Sequence, residues 1–332
     1  MVTPGDPRGV GPEVAVRAVA RFTQDHPTAD IVFMGPDGPV DSEAFGALAV
    51  RARTTPPSNP PSDETSSPSN DASPPSHHAS AAAGRLAARS IERAVEAALA
   101  GTAHAVVTAP LHKPSLHAAG WPVPGQTEML ASLTGTEQVG MLMAAEQTRI
   151  GPPLRVLLAT THLPLRDVCE AVTFELLVRQ IGLLDEALRR DWGFEEPRIG
   201  VCGLNPHASD GGLFGDEEER VFEPAIEDAR NRGVVVEGPW PADTVFARAL
   251  DGAYDAVVAP YHDVGMAAFK TVSFRLGVNV TLGLPFVRTS PDHGTAFDIA
   301  GTNTADPRSM LEALRLAYRL ANERFDSARA DV

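Results

Sequence analysis

The chain has 332 residues, 43% of them hydrophobic, which is enough for one large α/β domain or two smaller ones. Its formal net charge of −15 argues against nucleic acid or an anionic membrane as a partner, because both bind positively charged surfaces. Two cysteines supply no disulfide framework, and the apolar runs are shorter than the ~20 residues of a membrane span. The first residues, 1–6, lack a signal-peptide pattern, so we expect a soluble protein of the cytoplasm.

Apolar β-rich runs then alternate with helical patterns, which predicts an α/β fold with a mostly parallel sheet. A Pro- and Ser-rich stretch at 54–80 interrupts this alternation, and we expect it to be disordered, with His77 and His78 solvated. The predicted elements are a strand at 31–34, a helix at 86–99, strands ending at Thr108 and Thr161, a helix at 174–190, a strand at Ile199, a helix at 217–232, a strand at 234–236, a helix at 244–250, strands at Ala256 and 278–282, and a helix at 309–325.

Two glycine-containing turns precede predicted helices. The turn at 5–13 leads into a helix that begins near Pro12, where backbone N–H groups could attract an anion or the turn could be purely structural. It matches neither the GxGxxG nor the P-loop spacing, so it predicts no standard nucleotide site. In the second turn, at 125–128, Thr127 is predicted to cap the helix that follows.

Three apolar runs end in histidine, at His162, His207 and His262. Because parallel strands open their carboxyl ends on the same edge of a sheet, these imidazoles are predicted to converge on one divalent metal. The alternative is that each is an ordinary hydrogen-bonded loop residue. Imidazole ligands suit zinc, cobalt, nickel, manganese or iron to different degrees, so the pattern does not identify the metal.

Only two of the 28 basic residues are lysine, Lys113 and Lys270, and both lie near predicted strand ends. Where arginine has replaced almost every lysine, the two that remain are candidates for chemistry that needs a compact ammonium, although both could be retained by chance. Lys270, Asn279 and Arg288 together favour a pocket for an anion. The alternative for Arg288 is a surface ion pair with Asp292.

The segment 292–307 resembles the adenosine-binding loop of the isocitrate and isopropylmalate dehydrogenase superfamily, which binds its dinucleotide without GxGxxG. The resemblance implies a nucleotide at His293, Gly294, Thr295, Asp298 and Asn303. A carboxylate at Asp298 would bond ribose hydroxyls and repel a 2′-phosphate, which favours NAD over NADP.

Eight motifs in order along the chain resemble the PdxA family, the 4-hydroxythreonine-4-phosphate dehydrogenases of pyridoxal phosphate synthesis. They are GDPRGVGPE, TAPLHK, GQTEML, TTHLPL, GLNPHA with GLFGDEE, PADTVF, YHDVGMAAFK and GVNVTLGLPFVRTSPDHGTAFDIAG. The resemblance implies two α/β/α lobes of the isopropylmalate dehydrogenase type with the active site in the cleft between them. It also implies NAD-dependent oxidation of a small phosphorylated substrate, followed by decarboxylation.

By the resemblance, residues 1–125 with 275–332 form the nucleotide lobe, and residues 126–274 form the metal- and dimer-forming lobe. The metal, zinc or alternatively magnesium, cobalt, manganese, nickel or iron, would be bound by His162, His207 and His262, with His262 coming from the second subunit of a homodimer. The substrate would be held by Gln126, Thr127, Lys270, Asn279 and Arg288. Candidates for proton transfer or support of the site are Lys113, Asp243 and Lys270.

The chain departs from the family pattern at Gln126, where histidine is usual, at Val264, where glutamine is usual, and at 209–210, where Ser-Asp replaces Gly-Glu. A neutral amide cannot titrate near neutral pH, so a related substrate such as D-threonate or D-erythronate 4-phosphate is the alternative. Two further alternatives are an acyltransferase of the phosphotransacetylase type and a binding protein that has lost catalysis. The adenosine-type loop and the retained histidines and lysines speak against both.

Overall fold

The computed structural model of the chain describes residues 1–54 and 79–330. They form two compact units, unit 1 (Met1–Gly135 and His293–Leu314) and unit 2 (Thr136–Asp292 and Arg315–Val332). The roles predicted for the two lobes remain predictions. Most of the Pro- and Ser-rich stretch, with His77 and His78, lies outside the described residues.

Unit 1 is built on a short sheet in the strand order β3-β2-β1-β4. Its elements are β1 (Val2–Thr3), α1 (Gly11–Asp25), β2 (Phe33–Gly35), β3 (Gly38–Val40), α2 (Ser42–Thr54), α3 (Ala81–Leu99), β4 (Ala105–Thr108), α4 (Lys113–Ala118) and α5 (Gln126–Thr134). Strand β1 is parallel to both β2 and β4, and β3 returns antiparallel on β2. Ser80 caps α3 by accepting a hydrogen bond from the N–H of Ala83, so a polar residue fixes where this helix begins.

Unit 2 has a longer sheet in the order β11-β10-β5-β6-β9-β7-β8. Its elements are β5 (Gly140–Ala145), β6 (Leu154–Leu158), α6 (Leu165–Ala171), α7 (Phe174–Trp192), β7 (Arg198–Cys202), α8 (Glu223–Asn231), β8 (Val235–Trp240), α9 (Ala242–Leu250), β9 (Ala256–Ala259), α10 (His262–Ser273), β10 (Val278–Leu282) and β11 (Val287–Pro291). A last helix, α11 (Arg308–Ala330), closes the described chain.

The parallel strands of unit 2 are adjacent, since β6, β9, β7 and β8 pair in that order. All residues of β6 and β9 are buried, as expected for strands that are covered on both faces, whereas β8 at the edge of the sheet is mostly half-buried. One side of the sheet packs against α9 and α10 through an apolar cluster that includes Val156, Val257, Val245 and Phe269. The α/β fold with mostly parallel strands is confirmed, and the loops that carry the three histidines all leave the same edge of the sheet.

Several predicted boundaries are wrong. The strand expected to end at Thr161 ends at Leu158, and the helix expected from residue 217 opens with a π-helical turn, Glu218–Phe222. Strand β5 was not predicted, and it runs antiparallel to both of its neighbours. Across the described residues, no helix combines the length and the apolar character needed to cross a membrane.

Candidate active site

His162 and His262 follow two hydrogen-bonded parallel strands, β6 and β9. Beyond the strand ends the two chains stay together, because the N–H of Ala159 donates to the carbonyl of Ala259 at 2.8 Å. The two imidazole rings then lie with their centroids 5.6 Å apart. The structure therefore brings together two of the three histidines predicted to bind metal.

A cavity of about 110 Å³ opens beside these rings, and its wall includes Leu163 and Tyr261. Asp263 also lines this cavity, and its Oδ1 lies 2.7 Å from Nδ1 of His262. A carboxylate on one ring nitrogen commonly fixes the tautomer that leaves the other nitrogen for a metal. The pair thus fits two positions of a centre for a borderline divalent ion.

His207 lies beyond β7, the strand next to β9, in a turn that spans Pro206–Asp210. Its ring is exposed, and the ring of Phe214 lies 6.4 Å away, centroid to centroid. Among residues 1–54 and 79–330 of this single chain, no three His, Cys, Asp or Glu side chains gather closely enough to hold a metal ion. The third predicted ligand is therefore not joined to the other two within one chain.

The turn that carries His207 has an unusual backbone. Four consecutive non-glycine residues have positive φ, with values of 55° at His207, 53° at Ala208, 68° at Ser209 and 47° at Asp210. The left-handed conformation costs an L-residue roughly 1–2 kcal/mol. Such a run persists only where the surroundings impose it, and it is more common at functional sites than elsewhere.

Glu218 lies under this turn and is almost completely buried. Its Oε1 accepts the N–H groups of Leu204 at 2.8 Å and Asn205 at 2.7 Å, and its Oε2 accepts the Nδ2 of Asn205 at 2.8 Å and the hydroxyl of Ser209. Burial alone would raise the pKa of Glu218, but these donors outweigh it and lower the pKa below its usual value. The buried carboxyl is therefore ionised at neutral pH.

Cys202 ends β7 and is buried among apolar side chains. Burial raises the pKa of its thiol to about 12, so the sulfur stays protonated at neutral pH. Cys202 therefore contributes to the packing of the apolar cluster in unit 2.

Lys270, Asn279 and Arg288 all belong to unit 2. Nζ of Lys270 donates to Oδ2 of Asp292 at 2.6 Å and to the Asp292 carbonyl at 2.9 Å. Arg288 is buried rather than at the surface, and its Nη1 donates to Oγ1 of Thr281 at 2.8 Å. Oδ1 of Asn279 is buried without a hydrogen-bond partner, which suits a donor from a bound molecule.

Gln126 and Thr127 begin α5 in unit 1. The amide of Gln126 bonds to unit 1 itself, with Oε1 accepting from the Thr108 hydroxyl at 2.6 Å and Nε2 donating to the Ala109 carbonyl at 3.0 Å. The prediction that Thr127 caps the helix is wrong, because the cap position is Gly125 and Thr127 lies inside the first turn. That Gln126 and Thr127 bind the substrate remains a prediction.

The segment predicted to bind adenosine lies against the amino-terminal half of α1. The N–H of Val10 donates to the Thr295 carbonyl at 2.9 Å, and Oε2 of Glu13 accepts the N–H of Gly301 at 2.7 Å. The Arg17 guanidinium donates to carbonyl oxygens at 2.6 and 3.2 Å in the same segment. The helix after the glycine-rich turn thus holds this loop in place.

The remaining predicted residues differ in their surroundings. Asp298 and Asn303 are exposed, and Asn303 has a left-handed backbone with φ of 57°. Nε2 of His293 is buried without a hydrogen-bond partner, while its Nδ1 bonds the Gly294 carbonyl. Lys113 is exposed at the first position of α4.

Asp243 lies in the first turn of α9 and is exposed. No contact ties its carboxylate to another residue predicted to act in catalysis, within the hydrogen bonds and ion pairs of the described chain. Its role in proton transfer stays a prediction.

Known proteins provide the deciding comparison. A family model described as "Pyridoxal phosphate biosynthetic protein PdxA" matches residues 42–317. The chain belongs to the PdxA family. The family predicted from the motifs is confirmed.

Curated members of the PdxA family carry two kinds of name. A 4-hydroxythreonine-4-phosphate dehydrogenase from Burkholderia vietnamiensis is 44% identical over 97% of this chain and 96% of its own length. A D-threonate 4-phosphate dehydrogenase from Salmonella typhimurium is 41% identical over 96% of this chain and 98% of its own. The two names correspond to the two substrates weighed from the sequence.

A solved structure of a PdxA-family member has the same fold as this chain. The 4-hydroxythreonine-4-phosphate dehydrogenase of Klebsiella pneumoniae superposes with a TM-score of 0.77 at 39% identity, covering 96% of this chain and 98% of that one. An isocitrate dehydrogenase from Methylococcus capsulatus, 14% identical with a TM-score of 0.50, is similar in fold alone. Together they confirm the predicted fold class.

The structure shows what surrounds the positions that depart from the PdxA pattern. Val264 is half-buried and packs against the apolar cluster of unit 2. Ser209 is buried, and its hydroxyl bonds the Glu218 carboxylate. At Val264 and Ser209, the residues that differ from the family pattern therefore make contacts inside the folded chain.

Sequence reasoning missed Glu218, Glu13 and Arg17 as residues that hold candidate site loops. Glu218 stands in an acidic run, 216–219, that is typical of a solvated helix face. The motif GLFGDEE contributes to the family resemblance, but nothing in its pattern indicates which glutamate is buried.

Proposed function

We propose that this chain is an NAD-dependent, metal-assisted dehydrogenase of the cytoplasm. It would oxidise 4-phosphooxy-L-threonine and release carbon dioxide to give 3-amino-2-oxopropyl phosphate, a step in pyridoxal 5′-phosphate synthesis. The observation that carries the proposal is that the loops bearing His162, His207 and His262 follow three adjacent parallel strands and leave the same edge of the sheet of unit 2. Relatives that match nearly the whole chain are named for this reaction.

The reaction needs a hydride acceptor, a base and a means of holding a β-keto acid. The carbinol carbon gives a hydride to NAD, while the hydroxyl proton passes to a base. The carboxyl group β to the new ketone leaves as carbon dioxide, and its bonding electron pair takes up a proton at the carbon left behind. The chain must therefore bind the substrate carboxylate and phosphate and manage two proton transfers.

His162, His207 and His262 would hold the divalent metal, zinc in the first instance. Bound there, such an ion polarises the substrate oxygen and thereby eases both oxidation and decarboxylation. The bond between Asp263 and His262 supports this assignment, because it leaves Nε2 of the ring for a metal. Since the described residues of one chain do not gather three ligands, the proposal includes a homodimer that shares the metal site, with His262 coming from the second subunit.

Lys270, Asn279 and Arg288 would bind the anionic groups of the substrate. Nζ of Lys270 uses two of its three N–H groups on Asp292, so one remains for a substrate oxygen. The unsatisfied Oδ1 of Asn279 suits a donor such as the substrate amine or hydroxyl. Lys113, Lys270 and Asp243 are the proposed groups for proton transfer, and Gln126 with Thr127 would add contacts from α5.

NAD would bind at the loop 293–305, with His293, Gly294, Thr295, Asp298 and Asn303 as the contacting residues. The exposed carboxylate of Asp298 suits the two ribose hydroxyls of NAD and would repel the 2′-phosphate of NADP. The bonds from α1 to this loop fix its backbone before the nucleotide arrives, which lowers the entropic cost of binding.

A second candidate keeps the chemistry and changes the acid, to D-threonate 4-phosphate or D-erythronate 4-phosphate. The Salmonella relative named D-threonate 4-phosphate dehydrogenase, at nearly the same identity, supports the first of these two acids. The second candidate is also supported by the amide at Gln126, whose polar atoms already bond Thr108 and Ala109. An amide so engaged offers less to an amino acid substrate than an imidazole would.

The test is reduction of NAD by the purified protein with each of the three phosphorylated acids. We expect turnover of 4-phosphooxy-L-threonine, loss of turnover after chelation, and recovery on adding back zinc or another divalent ion. Faster turnover of a sugar-acid phosphate would establish the second candidate. No NADH from any of the three, in metal-loaded protein shown to be dimeric by light scattering, would contradict both.

A further inference from the structure

The turn from Leu204 to Asp210 is held mainly by the carboxylate of Glu218, and Nδ2 of Asn205 makes one further hydrogen bond, to Glu217 at 2.7 Å. Glu218 accepts hydrogen bonds from two residues before His207, Leu204 and Asn205, and from Ser209 after it. Both flanks of His207 are therefore fixed to one carboxylate. When the backbone is fixed on both sides of a residue, the direction in which its side chain leaves the backbone is fixed as well.

The carboxylate is itself held rigidly. Glu218 opens the π-helical turn Glu218–Phe222, whose Val221 and Phe222 are buried in unit 2. The backbone of Gly203 also closes on the carboxylate, since a Cβ atom there would lie 3.1 Å from Oε1 of Glu218. Single π-helical turns are frequent at functional sites.

The contacts explain why the left-handed backbone persists at His207. Four consecutive non-glycine residues in this conformation would relax if nothing opposed them. In this conformation the donors at Leu204, Asn205 and Ser209 all reach the carboxylate, so the bonds stabilise the left-handed turn. No hydrogen bond or ion pair among the described residues joins the carboxylate to His207.

We propose that Glu218 is a positioning residue for the metal site, acting through the backbone to fix the direction of the His207 imidazole. The proposal rests on the proposed function, in which His207 is a metal ligand. It adds a residue of unit 2 that does not contact metal, substrate or nucleotide and yet sets the affinity for the metal. Partners that orient a ligand typically contribute about 10- to 100-fold to metal affinity.

The decisive variant is Glu218→Gln, which keeps the size of the side chain. Its NH₂ group would face either the donors on Oε1 or those on Oε2, so one set of bonds is lost. The matched control is Glu219→Gln, which makes the same change of charge at the next, exposed glutamate. Ser209→Ala is the milder variant, since it removes only the hydroxyl that bonds the carboxylate.

The probe is Co²⁺, added to the metal-free full-length protein. Its affinity is measured by competition with a coloured chelator, and its geometry by the visible absorption of the bound ion. We expect Glu218→Gln to bind Co²⁺ about tenfold or more weakly with a changed spectrum, Ser209→Ala about threefold more weakly, and Glu219→Gln as the parent does. Thermal unfolding of each metal-free variant establishes that it is folded.

Equal Co²⁺ affinity and spectrum in Glu218→Gln and Glu219→Gln would overturn the positioning role. If Glu218→Gln does not fold, Ser209→Ala decides, and parent-like affinity in that variant would overturn the role as well. Failure of the parent protein to bind Co²⁺ is a different result, because it contradicts the proposed metal site and with it the role of Glu218.

Discussion

The two loops proposed to bind ligands are held in opposite ways. The turn 204–210, with His207, is held chiefly by one buried carboxylate, that of Glu218, which accepts four hydrogen bonds, whereas Glu217 accepts one from Asn205. The loop 293–305 is held by separate bonds from Val10, Glu13 and Arg17 along α1. Bonds concentrated on one buried carboxylate fix the turn precisely, but loss of that carboxylate removes most of its support. Loss of one bond to the loop 293–305 leaves the other bonds in place.

The difference matches what each loop is proposed to do. A metal centre requires ligand atoms within a few tenths of an ångström, so an imprecise turn loses the ion. A nucleotide loop contacts a long, flexible molecule through several groups and tolerates small shifts. The following predictions test this comparison, from the largest expected effect to the smallest.

The first prediction concerns the ligand on the turn 204–210. His207→Ala should lower kcat about a hundredfold or more, because a group that stabilises the developing charge is lost. The binding of NAD should stay within twofold, since the loop 293–305 is unchanged. The control is His104→Ala, which removes an exposed histidine. Turnover and Co²⁺ binding like those of the parent in His207→Ala would exclude His207 as a metal ligand.

A second prediction distinguishes the ligand affinities of the two loops from the overall stability of the protein. Asp191 is buried and accepts hydrogen bonds from Arg190 and Arg324 at 2.7 to 3.2 Å. Asp191→Asn should lower the free energy of unfolding by about 2 kcal/mol, because asparagine keeps one acceptor but loses the charge. The affinities for Co²⁺ and NAD should not change. A weaker affinity for Co²⁺ would mean that the turn 204–210 responds to general destabilisation, and a weaker affinity for NAD would mean the same of the loop 293–305.

The same carboxylate predicts a pH dependence. Burial alone would raise the pKa of Asp191, but Arg190 and Arg324 lower it below the ordinary value. Because the folded pKa is the lower one, this stabilisation is complete above the unfolded value, roughly pH 4, and is lost as pH falls through the folded pKa. Denaturant unfolding at neutral pH and at about pH 3 should therefore show the parent and Asp191→Asn converging on acidification.

A third prediction removes one of the several bonds on the nucleotide loop. Glu13→Ala deletes the acceptor for the N–H of Gly301 and should weaken NAD about tenfold, with kcat at saturating NAD little changed. Calorimetric titration with NAD measures the effect. Asp25→Ala, an exposed carboxylate on the same helix, should leave the affinity as it was. A collapse of NAD binding in Glu13→Ala would show that this loop too is held chiefly by one carboxylate.

The smallest effect is expected at Arg17. Arg17→Gln loses bonds to the carbonyls of Asn303 and Ala305, one of them in an exposed place, and should raise the KM for NAD about threefold. Arg21→Gln, on the same helix and exposed, is the control. An unchanged KM would mean that the loop holds its shape without this contact.

Much of the fold and part of the site follow from the sequence for physical reasons. The run before His262 is apolar and β-branched, so a buried strand could be placed there, and the rule for parallel strands then predicted that His162 and His262 approach each other. Strand β5 was missed because its segment, Gly140–Ala145, is equally typical of a buried helix segment.

Other features depend on contacts between distant residues and could not be predicted locally. Glu218 stands among acidic neighbours, and only the turn folded over it makes it a buried acceptor. Gln126 reads as a free polar group, whereas in the folded chain Thr108 and Ala109 occupy its amide. The positive φ at Ser209 is equally hidden, since the usual sign of such a backbone is glycine.

The scarcity of lysine gives the protein a practical property. Lys113 is exposed, whereas Lys270 is partly buried and bonded to Asp292. An amine-reactive tag should therefore modify the side chain of Lys113 much faster than that of Lys270. Attaching the protein to a sensor surface through this one side chain would present every molecule in the same orientation. Slow modification of Lys270, and its retardation by a phosphorylated substrate, would then report directly on occupancy of the pocket.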